Sequence, residues 1–134
     1  GLLLGLDQYA TIISGNENTY YLTRYVDIGH VRKTYDDAIE GLRGVPDHLK
    51  NKMSFAAGIW ADADRKWSDT DVSVNVRDPQ DHKRAVQGAF MVSGEYAWLY
   101  GEKSFFLTTS PTPLMRRYFQ ANIDAHQLKD PARR

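Results

Sequence analysis

The run MSFAAGIWA, Met53 to Ala61, sets how the rest of the chain reads. It is almost wholly apolar, too short for a core helix of ordinary length, and bounded by polar residues, so it reads as a strand. Upstream, ATIISG (10–15) is a short β-branched strand. Between the two, a helix capped by Asn18 or Thr19 runs to about Gly44, with Tyr21, Tyr25, Ile28, Tyr35, Ile39 and Leu42 as its apolar face. Gly44 and Pro46 stop it, and a helical turn follows at 46–52.

Downstream, DADRKWSDTDVSVNVR (62–77) is a polar loop. Asp78 then caps a helix whose first residue is Pro79, with Val86, Ala89, Phe90 and Ser93 on its apolar face and Gly94 at its end. EYAWLYG (95–101) is a third strand, and a last helix occupies 112–128 with Met115, Phe119 and Ile123 on one face. Residues 1–9 read as the end of a helix and KDPARR (129–134) as a frayed tail. The order is α, β, α, β, α, β, α. Strands alternating with helices predict an α/β fold of parallel βα units.

The chain has 134 residues, 42% apolar and 25% charged, enough for one domain with a core. Basic and acidic residues balance at 17 each, which argues against a nucleic-acid partner held by bulk charge. There is no cysteine, so disulfides and thiolate metal sites are excluded and the compartment stays open. GLLLGL (1–6) is too short to span a membrane and lacks the basic flank of a signal peptide. It begins in the middle of an apolar pattern, with no methionine, as a cut, a processed end or an incomplete chain would.

Each strand runs into a carboxylate. The first leads to Glu17, the second to Asp62 and Asp64, and the third to Glu102. In a parallel sheet the C-terminal strand ends share one face, where sites gather. Trp60, Trp67, Trp98, Tyr100, Phe105 and Phe106 lie close by in sequence. Carboxylates beside aromatic rings suit a sugar, whose apolar face stacks on Trp or Tyr and whose hydroxyls bond to carboxylates and amides. Glycoside hydrolysis needs an acid and a base or nucleophile, usually both carboxylates. Each residue also has a plainer role. A carboxylate after a strand is commonly a solvated loop residue or a helix cap, and Trp60 and Trp98 sit inside strands where core packing claims them equally. Trp67, in a polar loop, is the better surface aromatic.

DADRKWSDTD lacks the glycine and terminal glutamate of a calcium loop, and His30, His48, His82 and His126 are widely spaced and read as surface residues, so no metal is expected. No glycine-rich phosphate loop or nucleophile elbow is present, so no cofactor is expected either.

Three stretches together, SGNENTYY (14–21), FAAGIWADADRKW (55–67) and SGEYAWLYGEKSFF (93–106), resemble the C-terminal part of bacterial glycoside-hydrolase-like (β/α)8 barrel proteins. The resemblance covers most of the chain. Ser14 and Gly94 stand where that family has Asp, and Phe105-Phe106 replace a Trp pair. It implies that residues 1–134 are a partial barrel containing the last three strands of eight, with the remainder of the barrel as partner. It also implies a carbohydrate ligand and an extracellular or periplasmic setting. The expected catalytic carboxylates are Glu102, Glu17 and Asp62, and the expected substrate-binding residues are Trp98, Tyr100, Trp60, Trp67 and Asn16. The alternative is a non-catalytic carbohydrate-binding or interaction module with the same rim.

Overall fold

The strand β2 (Met53–Trp60) lies in the middle of a three-stranded parallel sheet, between β1 (Ile12–Asn16) and β3 (Trp98–Tyr100). The computed structural model describes residues 11–63, 66–93, 96–103 and 108–127. The expected helix at 1–9, the tail at 129–134, and Asp64, Gly94, Phe105 and Phe106 lie outside them. Four helices connect and flank the strands: α1 (Tyr25–Glu40), the single turn α2 (Asp47–Lys50), α3 (Pro79–Val92) and α4 (Pro113–Gln127). The architecture is α/β, with strands and helices alternating and each strand beside its neighbour in sequence.

The near-continuous apolar character of β2 follows from its central position, which buries it under helices on one face and under the Trp98 and Tyr20 rings on the other. Phe55, Ala57 and Ile59 point to one face and form the main core with Ile28 of α1 and with Ala85, Val86, Ala89 and Val92 of α3. Both crossover helices therefore lie on the same side of the sheet. Arg32 of α1 strengthens the layer, its guanidinium 5.6 Å from the Phe55 ring centroid and its Nη1 donating to the Val92 carbonyl at 2.8 Å. The other face carries Ser54, Ala56, Gly58 and Trp60; Ser54 and Ala56 pair with Ile13 and Gly15 of β1, and Gly58 and Trp60 pair with Trp98 and Tyr100 of β3. Among the described residues no helix covers it.

The small residues on that face make room for one indole. A Cβ on Gly58 would stand 2.8 Å from Trp98, and a Cβ on Gly15 would stand 3.3 Å from it. The Trp98 ring thus reaches from β3 across β2 to β1. Two hydroxyls complete the backbone pairing of β2. Thr19 Oγ1 accepts from the Gly58 N–H at 2.8 Å, just beyond the last β1 partner. Ser93 Oγ accepts from the Ala57 N–H at 2.9 Å, just before the first β3 partner.

The helices differ from expectation in two places. The first begins at Tyr25, later than the expected cap at Asn18 or Thr19. Asn16 instead caps a 3₁₀ turn at Glu17–Thr19, and the Thr19 hydroxyl is committed to β2, so the chain stays against the sheet before it turns into the helix. Of the expected apolar face, Ile28 is buried and Tyr35 and Ile39 are half-buried, whereas Tyr21 and Leu42 fall outside the helix and are exposed. The Tyr25 side chain lies outside the described residues. The helix ends at Glu40, and Gly44 takes the left-handed conformation, φ +74°, in the turn that follows.

On α4 the buried stripe is Leu114, Met115, Tyr118, Ala121 and Ala125; of the expected face, Met115 is buried, Phe119 is half-buried against the same cluster, and Ile123 is not part of it. Ile123 is 51% exposed. The buried face turns away from Ile123 because close approach to α3 selects the alanines, and Tyr118 is fixed by its hydroxyl, which donates to the Arg77 carbonyl at 2.5 Å. His82 is also a correction. It is fully buried between α3 and α4, not on the surface, with its ring edge-on to Tyr118 and Nε2 2.8 Å from Asn122 Oδ1. Asn122 Oδ1 can only accept, so Nε2 carries the proton.

Candidate functional site

Parallel strands deliver their C-terminal ends to one rim, and the residues expected there do converge. Trp60, Trp98 and Tyr100 stand on the sheet face away from the helices. Tyr20, from the segment after β1, packs among all three. Its ring stacks on Tyr100 with centroids 5.6 Å apart and planes 8° from parallel. It meets Trp98 at 5.2 Å and Trp60 at 6.0 Å in edge-on geometry. Trp60 in turn contacts Tyr100 at 5.6 Å and the exposed Tyr21 at 5.5 Å. Offset and edge contacts of this kind satisfy the ring quadrupoles and hold the cluster together.

The carboxylates differ from one another. Glu17 and Glu102 are exposed. Glu102 Oε1 accepts from the Tyr100 hydroxyl at 3.1 Å. This bond comes first among the causes that raise the Tyr100 pKa, followed by burial and by the charges of Glu102, Asp62 and Glu17. All three candidate carboxylates thus act on one phenol. Burial, then Glu17 and then Tyr100, likewise raise the pKa of Tyr20. Asp62 is 0% exposed and, among the described residues, accepts three N–H groups. Its Oδ1 takes the Trp60 indole N–H and the Glu102 backbone N–H, each at 2.9 Å, and its Oδ2 takes the Lys103 backbone N–H at 2.5 Å.

Two further expected residues behave differently. Asn16 is half-buried, and its side chain accepts from the Asn18 N–H at 2.9 Å, capping the turn that presents Glu17. Trp67 is not at the rim and is not a surface aromatic. It is partly buried against Ala61, Leu114, Met115 and Tyr118, with its ring 6.4 Å from that of Tyr118.

Tyr20 and Arg77 were not anticipated as site residues. Tyr20 has a sequence signal, since it lies within SGNENTYY. Arg77 has none, because its partners are distant along the chain. Only 4% exposed, it donates through Nη1 to the Trp60 carbonyl at 2.9 Å and through Nη2 to the carbonyls of Tyr20 and Leu22. The guanidinium ties the segment after β1 to the end of β2. Burial lowers its pKa to about 10, and the charge of Asp81 works in the opposite sense.

Two concavities of about 330 Å³ lie away from the rim. One is lined by residues including Thr23, Arg84 and Met91, the other by residues including Asp69, Leu114 and Arg117. Among the described residues no group of His, Asp and Glu is placed to hold a metal ion, and no helix is long and apolar enough to cross a membrane. No protein-family model, curated protein or solved structure matches the chain.

Proposed function

We propose that the rim binds carbohydrate and belongs to a glycoside-hydrolase-like (β/α)8 barrel protein. The observation that carries this reading is the cluster of Tyr20, Trp60, Trp98 and Tyr100 at the strand ends with two exposed carboxylates beside it. Tyr21 and Trp60 are the rings on which a sugar face would stack. Glu102, oriented by Tyr100, and Glu17 would bind hydroxyls, and in hydrolysis they would be the acid and its partner. The barrel part of the reading is supported by the sequential strand order and by crossover helices on one side only. A doubly wound sheet would instead have helices on both faces.

A second reading, binding without turnover, is favoured by a specific feature. Both Glu17 and Glu102 face water, whereas glycosidic chemistry is helped by a site that excludes it. One experiment serves both. Tryptophan fluorescence is titrated with cellohexaose, xylohexaose, chitohexaose and maltohexaose, and the same mixtures are analysed by mass spectrometry for shortened products. Saturable quenching by at least one glycan, weakened by Tyr21→Ala, is the expected result. Shortened products that disappear in Glu102→Gln while quenching persists assign hydrolysis, and quenching with no product at any time assigns binding alone. No response to any of the four glycans overturns the carbohydrate reading.

A further inference from the structure

We infer that Asp62 is a positioning residue that couples the stacking ring to the loop carboxylate, so that Trp60 and Glu102 work as one unit. The inference rests on the carbohydrate reading for its function but not for its geometry. A carboxylate that is 0% exposed and already accepts three N–H groups has no free path to a ligand. Its partners explain its position. Through Oδ1 it fixes the Trp60 indole, which sets the plane of that ring. Through both oxygens it fixes the Glu102 and Lys103 backbone, which sets where the Glu102 side chain leaves the loop. Hydrogen bonds to an ionised acceptor are the strong kind, and a buried carboxylate stripped of one donor is left under-solvated, a cost relieved when the loop opens and lets water reach it.

The rest of Trp60 is held as firmly. Its carbonyl accepts from Arg77 Nη1 at 2.9 Å, and its N–H donates to the Tyr20 carbonyl at 3.3 Å. The next residue, Ala61, donates its N–H to the Tyr100 carbonyl at 2.7 Å. With the backbone fixed, the indole has one soft degree of freedom left, rotation about its side-chain bonds, and Asp62 removes it. A ring held in this way is a fixed platform and not a gate, and a glycan that stacks on it finds Glu102 at a set distance.

Amide and indole hydrogen exchange in ¹⁵N-labelled chain tests this without any ligand. Asp62→Asn replaces one acceptor oxygen with an N–H₂ donor that faces a backbone N–H. It should speed exchange of the Trp60 indole and of the Glu102 and Lys103 amides by about an order of magnitude or more. The Ala57 amide, held by Ser93 in the core, should keep its rate. Trp60→Phe removes only the indole donor and should speed the Glu102 and Lys103 amides across the carboxylate. If Glu102 and Lys103 keep their rates in Trp60→Phe, or if the Trp60 indole keeps its rate in a folded Asp62→Asn, the coupling is wrong. With chitohexaose and cellohexaose as probes, Asp62→Asn should weaken whichever one binds by about tenfold. If neither probe binds the unmodified chain, the same comparison is made with xylohexaose and maltohexaose; silence from all four overturns the carbohydrate reading, while the exchange results still decide the role of Asp62.

Discussion

Gly58 shows how closely the rim depends on single atoms. A Cβ at this position would stand 2.8 Å from both the Trp98 indole and the Tyr20 ring, and neither ring is a flexible chain end that can swing clear. Gly58→Ala is expected to destabilise the protein by roughly 1–3 kcal/mol, as overpacking does, and to change the near-ultraviolet circular dichroism of the rings. Gly15→Ala, with contacts at 3.3 Å, should cost less. Urea denaturation of the two variants checks the order. Thr19→Val is the matching polar test. It leaves the buried Gly58 N–H without its acceptor and should cost about 1–3 kcal/mol by the same measurement. At this scale the sequence was readable where an aromatic ring or a carboxylate sits in or next to a strand. Trp60, Trp98, Tyr100, Glu17 and Glu102 reach the rim because parallel strands bring them there. Thr19 and Arg77 were not readable, since they act on backbone atoms 39 and 17 residues away and no local pattern records such a partner.

Elements whose ends carry their own signals were legible to within a residue or two. Asp78-Pro79 marks the start of α3 because an Asp side chain and a proline ring each satisfy the first turn locally. Asp78 Oδ1 accepts from Gln80 N at 2.7 Å and Asp81 N at 2.8 Å, so Asp78→Ala should lower stability by about 1 kcal/mol in thermal or chemical melts. The start of α1 was misplaced because Arg24 provides no side-chain cap, while the better capping residue, Asn16, is used on a 3₁₀ turn. The α3–α4 interface carries a pH dependence. Burial lowers the His82 pKa to about 4, with the Arg77 charge acting in the same direction and the Asn122 hydrogen bond opposing it. The unfolded chain therefore takes up the proton near 6.5 and the native state does not. The His82 contribution is constant above that range and is lost as pH falls from about 6.5 toward 4, by roughly 3 kcal/mol in all. His82→Gln keeps a donor for Asn122 and should flatten this part of the profile. Subtracting the two stability-against-pH curves isolates it from the carboxylates, and parallel curves between pH 6.5 and 4 would refute the assignment.

For the whole molecule, the uneven covering of the sheet is the main physical fact. Phe55, Ala57 and Ile59 are sealed by α1 and α3, while the opposite face meets no helix among the described residues. Ile13 is 43% exposed there, and the buried Trp98 Nε1 meets no acceptor among the described residues. The outer edges of β1 and β3 carry no strand partner among the described residues either, and an unpaired parallel edge beside an apolar face invites association. In the barrel reading the same face is the interior and the same edges continue the sheet, so one property follows from both views. The chain at its present length should associate in a concentration-dependent way. Ile13→Lys, which places a charge on that face and on the edge strand, should shift it toward monomer without loss of helical signal. Sedimentation velocity over a dilution series measures this directly. A chain that stays monomeric at every concentration, and is indifferent to the lysine, would mean that the face is already satisfied, and the barrel reading would lose its strongest structural support.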